Sequence, residues 1–223
     1  MLLWSHGGFF STTGLHYNKG MKLPIILVLL SLPLLATAED STPISEIRDT
    51  YPHLSPDGTR IVFQSNRSGN NQIWTVNLDE SDAVQLTDVP GEGAETPVWS
   101  PDGKRIAYAG YLEEGNNDVF VMNADGSDPT QVIFGPGYDG HPHWSADGEW
   151  IAFASNRSGP ALTGQLWLIR PDGSGLRQLT TGDWGYSQPS WSVSGDSIFA
   201  YRFRETSDSE YGGITVVRVN AEH

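Results

Sequence analysis

The chain has 223 residues and carries 13 lysines and arginines against 27 aspartates and glutamates, a formal net charge of −14. This acidic balance argues against nucleic acid or an anionic membrane surface as the main partner, because both require a basic surface. The absence of cysteine excludes a disulfide scaffold, a thiolate zinc site and a cysteine nucleophile. Frequent glycine and proline, with eight each of Trp, Tyr and Phe, favour many short strands.

Residues 21–38 have the composition of a secretory signal peptide. Lys22 supplies a short positive segment, Leu23 to Leu35 form an apolar stretch, and Ala36-Thr37-Ala38 provides the small residues of a cleavage site. The alternative is a membrane anchor, which the shortness of the apolar stretch and its two prolines disfavour. We predict an upstream extension over residues 1–20, cleavage after Ala38, and a periplasmic or secreted protein without a stable membrane anchor.

A repeat occupies the rest of the chain. Its four copies are anchored on serines that lie 45, 45 and 47 residues apart, namely Ser55, Ser100, Ser145 and Ser192. In the first three copies the serine begins a Ser-x-Asp-Gly turn, which places a positive φ on glycine and favours a hairpin. Each copy continues with an apolar run, a variable loop, a second apolar run and a further turn. A final short strand is predicted at Leu86-Thr87, Val132-Ile133 and Leu179-Thr180.

Each copy is therefore predicted to contain four short strands, which we name a to d from the start of the repeat. This period and this strand count are those of a β-propeller blade. The predicted fold class is all-β, a β-propeller of four four-stranded blades over residues 39–223, with blades starting near residues 51, 96, 141 and 188. A blade cannot bury both faces alone, so neighbouring blades must pack on each other.

The pattern Pro-x-Trp-Ser-Pro-Asp-Gly, followed by Ser-Asn-Arg-Ser-Gly, Ile-Trp, Asp-Gly-Ser and Leu-Thr, resembles the WD40-like repeat of the TolB-type propellers. The resemblance covers about residues 44–220 and extends to the propellers attached to prolyl-peptidase-type hydrolases. It implies an exported propeller that binds a protein at the bacterial envelope. We expect no counterpart of the α/β domain that precedes the propeller in TolB, because only about a dozen residues separate the predicted cleavage site from the first copy of the repeat.

The propellers that the sequence resembles usually have six or more blades, which leaves two interpretations of the fourth copy. Either four blades close as a small propeller, or the chain is a fragment of a six-bladed or larger one. In the first case, residues from Pro43 to Asp49 are expected to supply the outer strand that the fourth copy lacks. Both interpretations stay open at the level of sequence.

Propeller geometry places the b–c and d–a loops on one face of the molecule, which we call the loop face. These loops differ in every copy, and variable loops on a rigid scaffold commonly carry binding sites. The candidate binding residues on this face are Tyr111, Tyr138, Trp184, Tyr186, Glu95, Asp139 and His141. Tyrosine and tryptophan beside acidic residues suit a protein partner or a glycan. The alternative is that some of these aromatic residues only cover blade edges.

Motifs of catalysis are missing from the sequence. It contains no Gly-x-Ser-x-Gly nucleophile elbow and no phosphate-binding glycine loop. A metal held by His141 and Glu95 in the channel is less plausible than a hydrated channel histidine, because no multi-ligand spacing occurs. We predict a non-enzymatic protein-binding scaffold with no cofactor and no metal. The alternatives are the propeller part of a glycan-active or peptidase-type enzyme, or a glycan-binding module.

Overall fold

The computed structural model of the chain describes residues 46–113, 116–158, 164–205 and 210–219. The predicted signal peptide and upstream extension lie outside these ranges. Within them, fifteen strands form four antiparallel sheets, and no helix has the length and apolar character needed to cross a membrane. Each sheet is one blade, so the predicted all-β propeller fold is confirmed.

The strands of each blade follow the chain from the inner edge of the sheet to its outer edge. Blade 1 contains β1 (Asp49–Leu54), β2 (Arg60–Ser65), β3 (Gln72–Asn77) and β4 (Val84–Gln85). Blade 2 contains β5 (Ala94–Trp99), β6 (Arg105–Glu113), β7 (Asn116–Asn123) and β8 (Thr130–Gln131). Blade 3 contains β9 (Asp139–Trp144), β10 (Ile151–Ser155), β11 (Gln165–Ile169) and β12 (Arg177–Gln178). The described strands of blade 4 are β13 (Gly185–Trp191), β14 (Ser197–Glu205) and β15 (Glu210–Arg218).

The hairpin between the first two strands of blade 1 shows why the Ser-x-Asp-Gly turn recurs. Asp57 Oδ1 accepts hydrogen bonds from Ser55 Oγ at 2.6 Å and from the backbone N–H of Thr59 at 3.0 Å. Gly58 has a φ of 71°, a value that L side chains rarely adopt. The backbone N–H of Ser55 donates to the carbonyl of Arg60 and closes the hairpin. Side chains of the turn thus satisfy its backbone groups locally.

Tryptophans of the inner strands join successive blades. Trp99 of β5 packs in one cluster with Val62 and Ile73 of blade 1, and the Arg60 guanidinium lies 4.8 Å from the centre of its ring. The apolar packing recurs at two further positions in the chain, namely Trp144 and Trp191, and the guanidinium recurs at the first of them, where Arg105 lies 4.7 Å from the ring centre. Burial of these large rings between sheets is the main apolar stabilisation that one blade gains from the next.

The outer strands begin two residues earlier than predicted. In blade 1 the strand covers Val84–Gln85 rather than Leu86-Thr87. The reason lies in the Thr87 hydroxyl, which accepts the hydrogen bond of the Ile73 N–H at 2.8 Å. The Ile73 N–H therefore bonds a side chain instead of the backbone of the outer strand, and the backbone pairing of the two strands ends there.

If four blades close on themselves, the segment from Pro43 to Asp49 was expected to complete blade 4, and its described part, residues 46–49, does not do so. Asp49 begins β1 and pairs with Ser65, and the Arg48 N–H donates to Asn66 Oδ1 at 2.8 Å. These residues therefore lie on blade 1. For them the expectation was wrong, because Asn66, at the b–c turn of blade 1, offers a nearby side-chain partner.

Candidate functional site

Polar and aromatic side chains from three blades meet on the loop face, where the inner strands end. We call this group the channel-mouth cluster, and its members are Tyr51, Glu95, Tyr111, Asn117, Tyr138 and His141. The His141 ring lies 6.0 Å from the Tyr51 ring and 6.1 Å from the Tyr138 ring, measured between centroids. Four of the predicted binding residues, Glu95, Tyr111, Tyr138 and His141, are therefore brought together.

A bulge in each inner strand positions some of these side chains. At each bulge a residue other than glycine has a positive φ between 50° and 53°, namely Tyr51, Thr96, His141 and Gln188. A bulge opposes two residues to one on the partner strand and so re-aims a side chain away from the regular alternation. All four blades share this bulge, so its backbone conformation is a property of the repeat. Only the side chain at the bulge differs from blade to blade.

Glu95 lies in the middle of the cluster. Its Oε1 accepts hydrogen bonds from Asn117 Nδ2 at 3.0 Å and from the Tyr111 hydroxyl at 3.4 Å. Burial raises the pKa of Glu95 above its ordinary value, and the two hydrogen bonds only partly offset that effect. Among the described residues, the side-chain ion pairs do not include Glu95. This carboxyl therefore has neutral donors around it and no cation.

The rings around Glu95 are neutral near pH 7. Burial lowers the pKa of His141 to about 4, so its imidazole carries no charge. Burial and the neighbouring carboxylate of Glu95 raise the pKa of Tyr138 and that of Tyr111 above the ordinary tyrosine value. The cluster thus presents one carboxyl group among aromatic surfaces and hydroxyl groups.

A groove of about 240 Å³ runs along the inner strands beside the cluster. One proline from each blade lines it, namely Pro52, Pro97, Pro142 and Pro189. The rings of His53 and His143 meet edge to face in it with centroids 6.3 Å apart. Burial, with the nearby His143, lowers the pKa of His53 to about 4. The groove wall is therefore uncharged at neutral pH.

Trp184 and Tyr186 lie on blade 4 rather than in the cluster. The guanidinium of Arg202 lies 4.4 Å from the centre of the Trp184 ring, and that of Arg204 lies 6.0 Å from it. Tyr186 packs against the apolar cluster that joins blades 3 and 4. Trp184 is thus a surface aromatic covered by cations, and Tyr186 contributes to packing.

Asp139, the seventh predicted residue, belongs to a buried ionic group. Its carboxylate pairs with Arg157 Nη2 at 2.5 Å and is only 1% exposed. The carboxyl of Asp118 from the neighbouring blade contacts it, and burial together with the charge of Asp139 raises the pKa of Asp118 to about 7. Asp118 Oδ1 is buried and accepts no hydrogen bond. A proton on Asp118 that is donated to Asp139 accounts for both observations.

This assignment predicts how Asp118 affects stability as the pH changes. The folded-state pKa, about 7, exceeds the ordinary value of 3.8, so the contribution of Asp118 is fully present below pH 3.8 and is lost as the pH rises through 7. In the Asp118→Asn variant we expect this loss to vanish. The fall in unfolding free energy from pH 5 to pH 8 is then expected to be smaller in the variant than in the unmodified chain by about 1–2 kcal/mol, after allowance for solvent screening. Urea unfolding at both pH values measures it. Histidine titrations cancel because both proteins share them, and equal pH dependence of the two proteins would contradict the assignment.

Sequence reasoning did not select Tyr51, Asn117 or Asp118 as site residues. A signal for Asp118 exists in the repeat, since the equivalent positions in blades 1 and 3 hold Gln72 and Gln165. Those amides bond the d–a loops, through Val89 and Trp184 respectively. Asp118 places a carboxyl group where the other two blades have an amide, and this difference in the repeat is the signal that could have identified it. In the described part of the chain, no group of three or more His, Asp or Glu residues has the arrangement needed to hold a metal ion.

Comparisons with known proteins agree with this architecture. The sequence profile of the Tricorn protease N-terminal β-propeller domain matches residues 70–216. A protein named TolB homolog from Chlorobium luteolum is 35% identical over 141 residues, which cover 63% of this chain and 31% of that protein. The uncharacterized peptidase YuxL of Bacillus subtilis is 27% identical over 170 residues, which cover 74% of this chain and 18% of YuxL.

A solved structure supports the same family. The structure of putative TolB from Agrobacterium tumefaciens has a TM-score of 0.66 and 26% identity, over 74% of this chain and 59% of that one. The chain spans about a third or less of the length of the curated relatives it matches. The chain therefore belongs to the family of the Tricorn protease N-terminal β-propeller domain and is a TolB-type β-propeller protein.

Proposed function

We propose that this propeller is a non-enzymatic scaffold that binds a protein partner through the channel-mouth cluster on its loop face. The observation that carries the proposal is the Glu95 carboxyl, which is partly buried, is bonded only by neutral groups and is surrounded by tyrosines. A buried carboxyl in such a place is costly without a cation and gains most when a partner brings one.

The chemistry of the cluster indicates what the partner presents. Tyrosine rings at Tyr51, Tyr111 and Tyr138 offer large, rigid contact surfaces of the kind that dominate protein interfaces. The Glu95 carboxylate selects a lysine, an arginine or a chain-terminal amine, and the neutral His141 does not repel such a group. A basic segment of a protein therefore fits better than an acidic one, and the net charge of −14 steers it toward the chain.

The proposed location is the periplasm or the exterior of a bacterial cell. The composition of residues 21–38, with predicted cleavage after Ala38, supports export, as does the similarity to proteins named TolB homolog. Binding by a preformed site on stacked blades requires no cofactor. In this setting the propeller is a rigid platform on which the loops of successive blades meet the partner.

The Glu95→Gln variant tests the proposal. We expect recovery of the partner from an envelope extract to fall about tenfold or more, because an ion pair of this kind contributes about 1.5–3 kcal/mol. The unmodified chain and the variant are immobilised in equal amounts, and each recovered protein is quantified at low and high salt. Glu149→Gln is the matched control, since Glu149 is an exposed acid on the opposite face. Equal recovery by the Glu95 and Glu149 variants would refute binding at this site.

The relation to YuxL favours a second candidate, the propeller portion of a peptidase. In that case the groove would guide a peptide rather than hold a stable partner. Sequencing the gene beyond the codon for His223 separates the two, because a peptidase requires a hydrolase domain and a scaffold does not.

A further inference from the structure

Blade 4 presents an exposed apolar face on the side away from blade 3. Phe199, Ile214 and Val216 lie on this face, and Ile214 is 79% exposed. Residues two apart on a strand share a face, so Tyr201 and Phe203 lie beside Phe199, and their rings stack with centroids 6.1 Å apart. Contiguous apolar surface of this kind on a soluble protein commonly marks an interface.

The same positions are buried in the other blades. The residues that correspond to Ile214 in blades 1–3 are each 0% exposed, namely Ile73, Val119 and Leu166. Each packs in one cluster with the inner-strand tryptophan of the following blade, namely Trp99, Trp144 and Trp191. The apolar face of blade 4 is therefore one half of a blade-to-blade interface.

The inner strand of blade 1 presents the other half. Leu54 holds the repeat position of Trp99, yet Leu54 is 51% exposed and Trp99 is 2% exposed. The preceding blade covers this strand in blades 2, 3 and 4, whereas in β1 all residues but His53 are exposed. Extensive strand packing among the described residues joins only successive blades, so blades 1 and 4 do not cover each other.

The exposed faces of blade 4 and blade 1 carry side chains whose volumes differ in opposite directions from those at the other blade interfaces. Small or medium residues accompany the buried tryptophans at the position of Phe199, namely Val62, Ala107 and Ala152. On blade 4 this position holds the larger Phe199, and on blade 1 the tryptophan position holds the smaller Leu54. A large and a small residue have exchanged sides, which preserves the volume that fills such an interface.

The residue at the rim of the interface differs between blades. Arg60 and Arg105 stack on Trp99 and Trp144 at 4.8 and 4.7 Å from the ring centres, whereas Trp150 holds the equivalent position opposite Trp191. Blade 4 has Ser197 at this position. A contact between Leu54 and Phe199 is therefore supported by their volumes and their exposure.

We propose that blade 4 of one copy of this chain binds blade 1 of a second copy, head to tail, and that two copies close into a ring. The contact is heterologous, since different surfaces meet, and such contacts form closed rings when the rotation between copies permits. A ring of twice four blades stays within the range found for β-propellers. The interface repeats the packing between blades within the chain.

Solution mass tests the proposal on the full chain. We expect light scattering to give about twice 24.4 kDa for the unmodified chain. Leu54→Glu and Ile214→Glu are each expected to give the single-chain mass, because either variant places a charge in both interfaces of the ring. Val193→Glu is the matched control, since Val193 is 96% exposed on a turn of blade 4 and is expected to leave the doubled mass unchanged. A single-chain mass for the unmodified protein, a larger assembly, or a doubled mass in Leu54→Glu would overturn the proposal.

Engineered cysteines separate contact between copies from closure within one chain. The chain has no cysteine, so a Leu54→Cys, Phe199→Cys double variant carries the only two thiols. We expect oxidation to yield a two-chain species on a denaturing gel without reductant. The Leu54→Cys, Val193→Cys double variant is the control and is expected to remain a single chain with free thiols. A single-chain disulfide or unreacted thiols in the first variant would refute the head-to-tail contact between copies.

Discussion

Trp144→Ala is expected to lower the free energy of unfolding by about 3–5 kcal/mol, the range found when a buried tryptophan is removed from a core. Trp144 is 3% exposed and packs with residues of both blades that it joins, including Val119 of blade 2 and Phe153 of blade 3. The substitution leaves a cavity between two sheets and removes the ring on which Arg105 stacks at 4.7 Å. Urea unfolding followed by circular dichroism measures the loss.

Two further variants show that the effect comes from apolar packing. The indole Nε1 of Trp144 is buried without a hydrogen-bond partner, so Trp144→Phe removes a costly donor while keeping a ring, and we expect a loss below about 1.5 kcal/mol. Leu54→Ala alters the same repeat position in blade 1. At protein concentrations that keep copies apart, we expect it to cost less than about 1 kcal/mol, because Leu54 is exposed. Equal losses in Trp144→Ala and Leu54→Ala would contradict the interface described here.

Blade interfaces and the channel-mouth cluster depend on each other. Glu95 follows the d–a loop of blade 1 and His141 that of blade 2, and each reaches the cluster only because the inner strands pack side by side. The ring contact of His141 with Tyr51 joins blades 3 and 1, and the backbone N–H of Asn117 on blade 2 donates to the carbonyl of Gly137 in the loop that leads into blade 3. A loss of inter-blade packing is therefore expected to loosen the site as well as the fold.

The repeat explains why the fold was predictable from sequence. The spacing of Ser55, Ser100 and Ser145 shows the period, and the Ser-x-Asp-Gly turns mark the hairpins, because these features act within a few residues. The position of the outer strands was harder to predict. It depends on the Thr87 hydroxyl, which takes a backbone donor from Ile73, fourteen residues away along the chain.

The candidate site was predicted only in part, for a physical reason. The sequence places Glu95, Tyr138 and His141 on the loop face, and the structure joins them across blades. Pattern alone does not separate Tyr186, which packs in the core, from Tyr111, which bonds Glu95. That separation depends on which neighbouring blade covers each ring, and a local motif contains no such information.

Arg157→Met is expected to destabilise the chain by about 3–5 kcal/mol at pH 7.5, because it leaves the buried carboxylate of Asp139 without its cation. Arg157 bonds both carboxylate oxygens of Asp139 and donates from Nε to Ser155 Oγ at 3.0 Å. The Arg157 guanidinium also lies 5.5 Å from the centre of the Trp167 ring, and methionine puts an apolar side chain of similar length in its place, so the loss reports mainly on charge. Urea unfolding of both proteins measures it.

Blade 1 supplies the matched control through the same Ser-Asn-Arg-Ser motif. Arg67 pairs with Asp49 at 2.8 Å and bonds Ser65 as Arg157 bonds Ser155, but both members of that pair are 24% exposed. Arg67→Met is therefore expected to cost about 1 kcal/mol or less, the usual value of a solvated ion pair. At pH 5 the loss in Arg157→Met is expected to shrink, because Asp118, whose pKa is raised to about 7, then holds a proton and leaves one carboxylate rather than two without a cation. The loss in Arg67→Met is expected to stay unchanged. Two results would contradict this argument, namely equal losses in the two variants at pH 7.5 or an unchanged loss in Arg157→Met at pH 5. Either result would show that the burial of Asp139 between blades 2 and 3 is not the reason why the stability of the chain depends on Arg157.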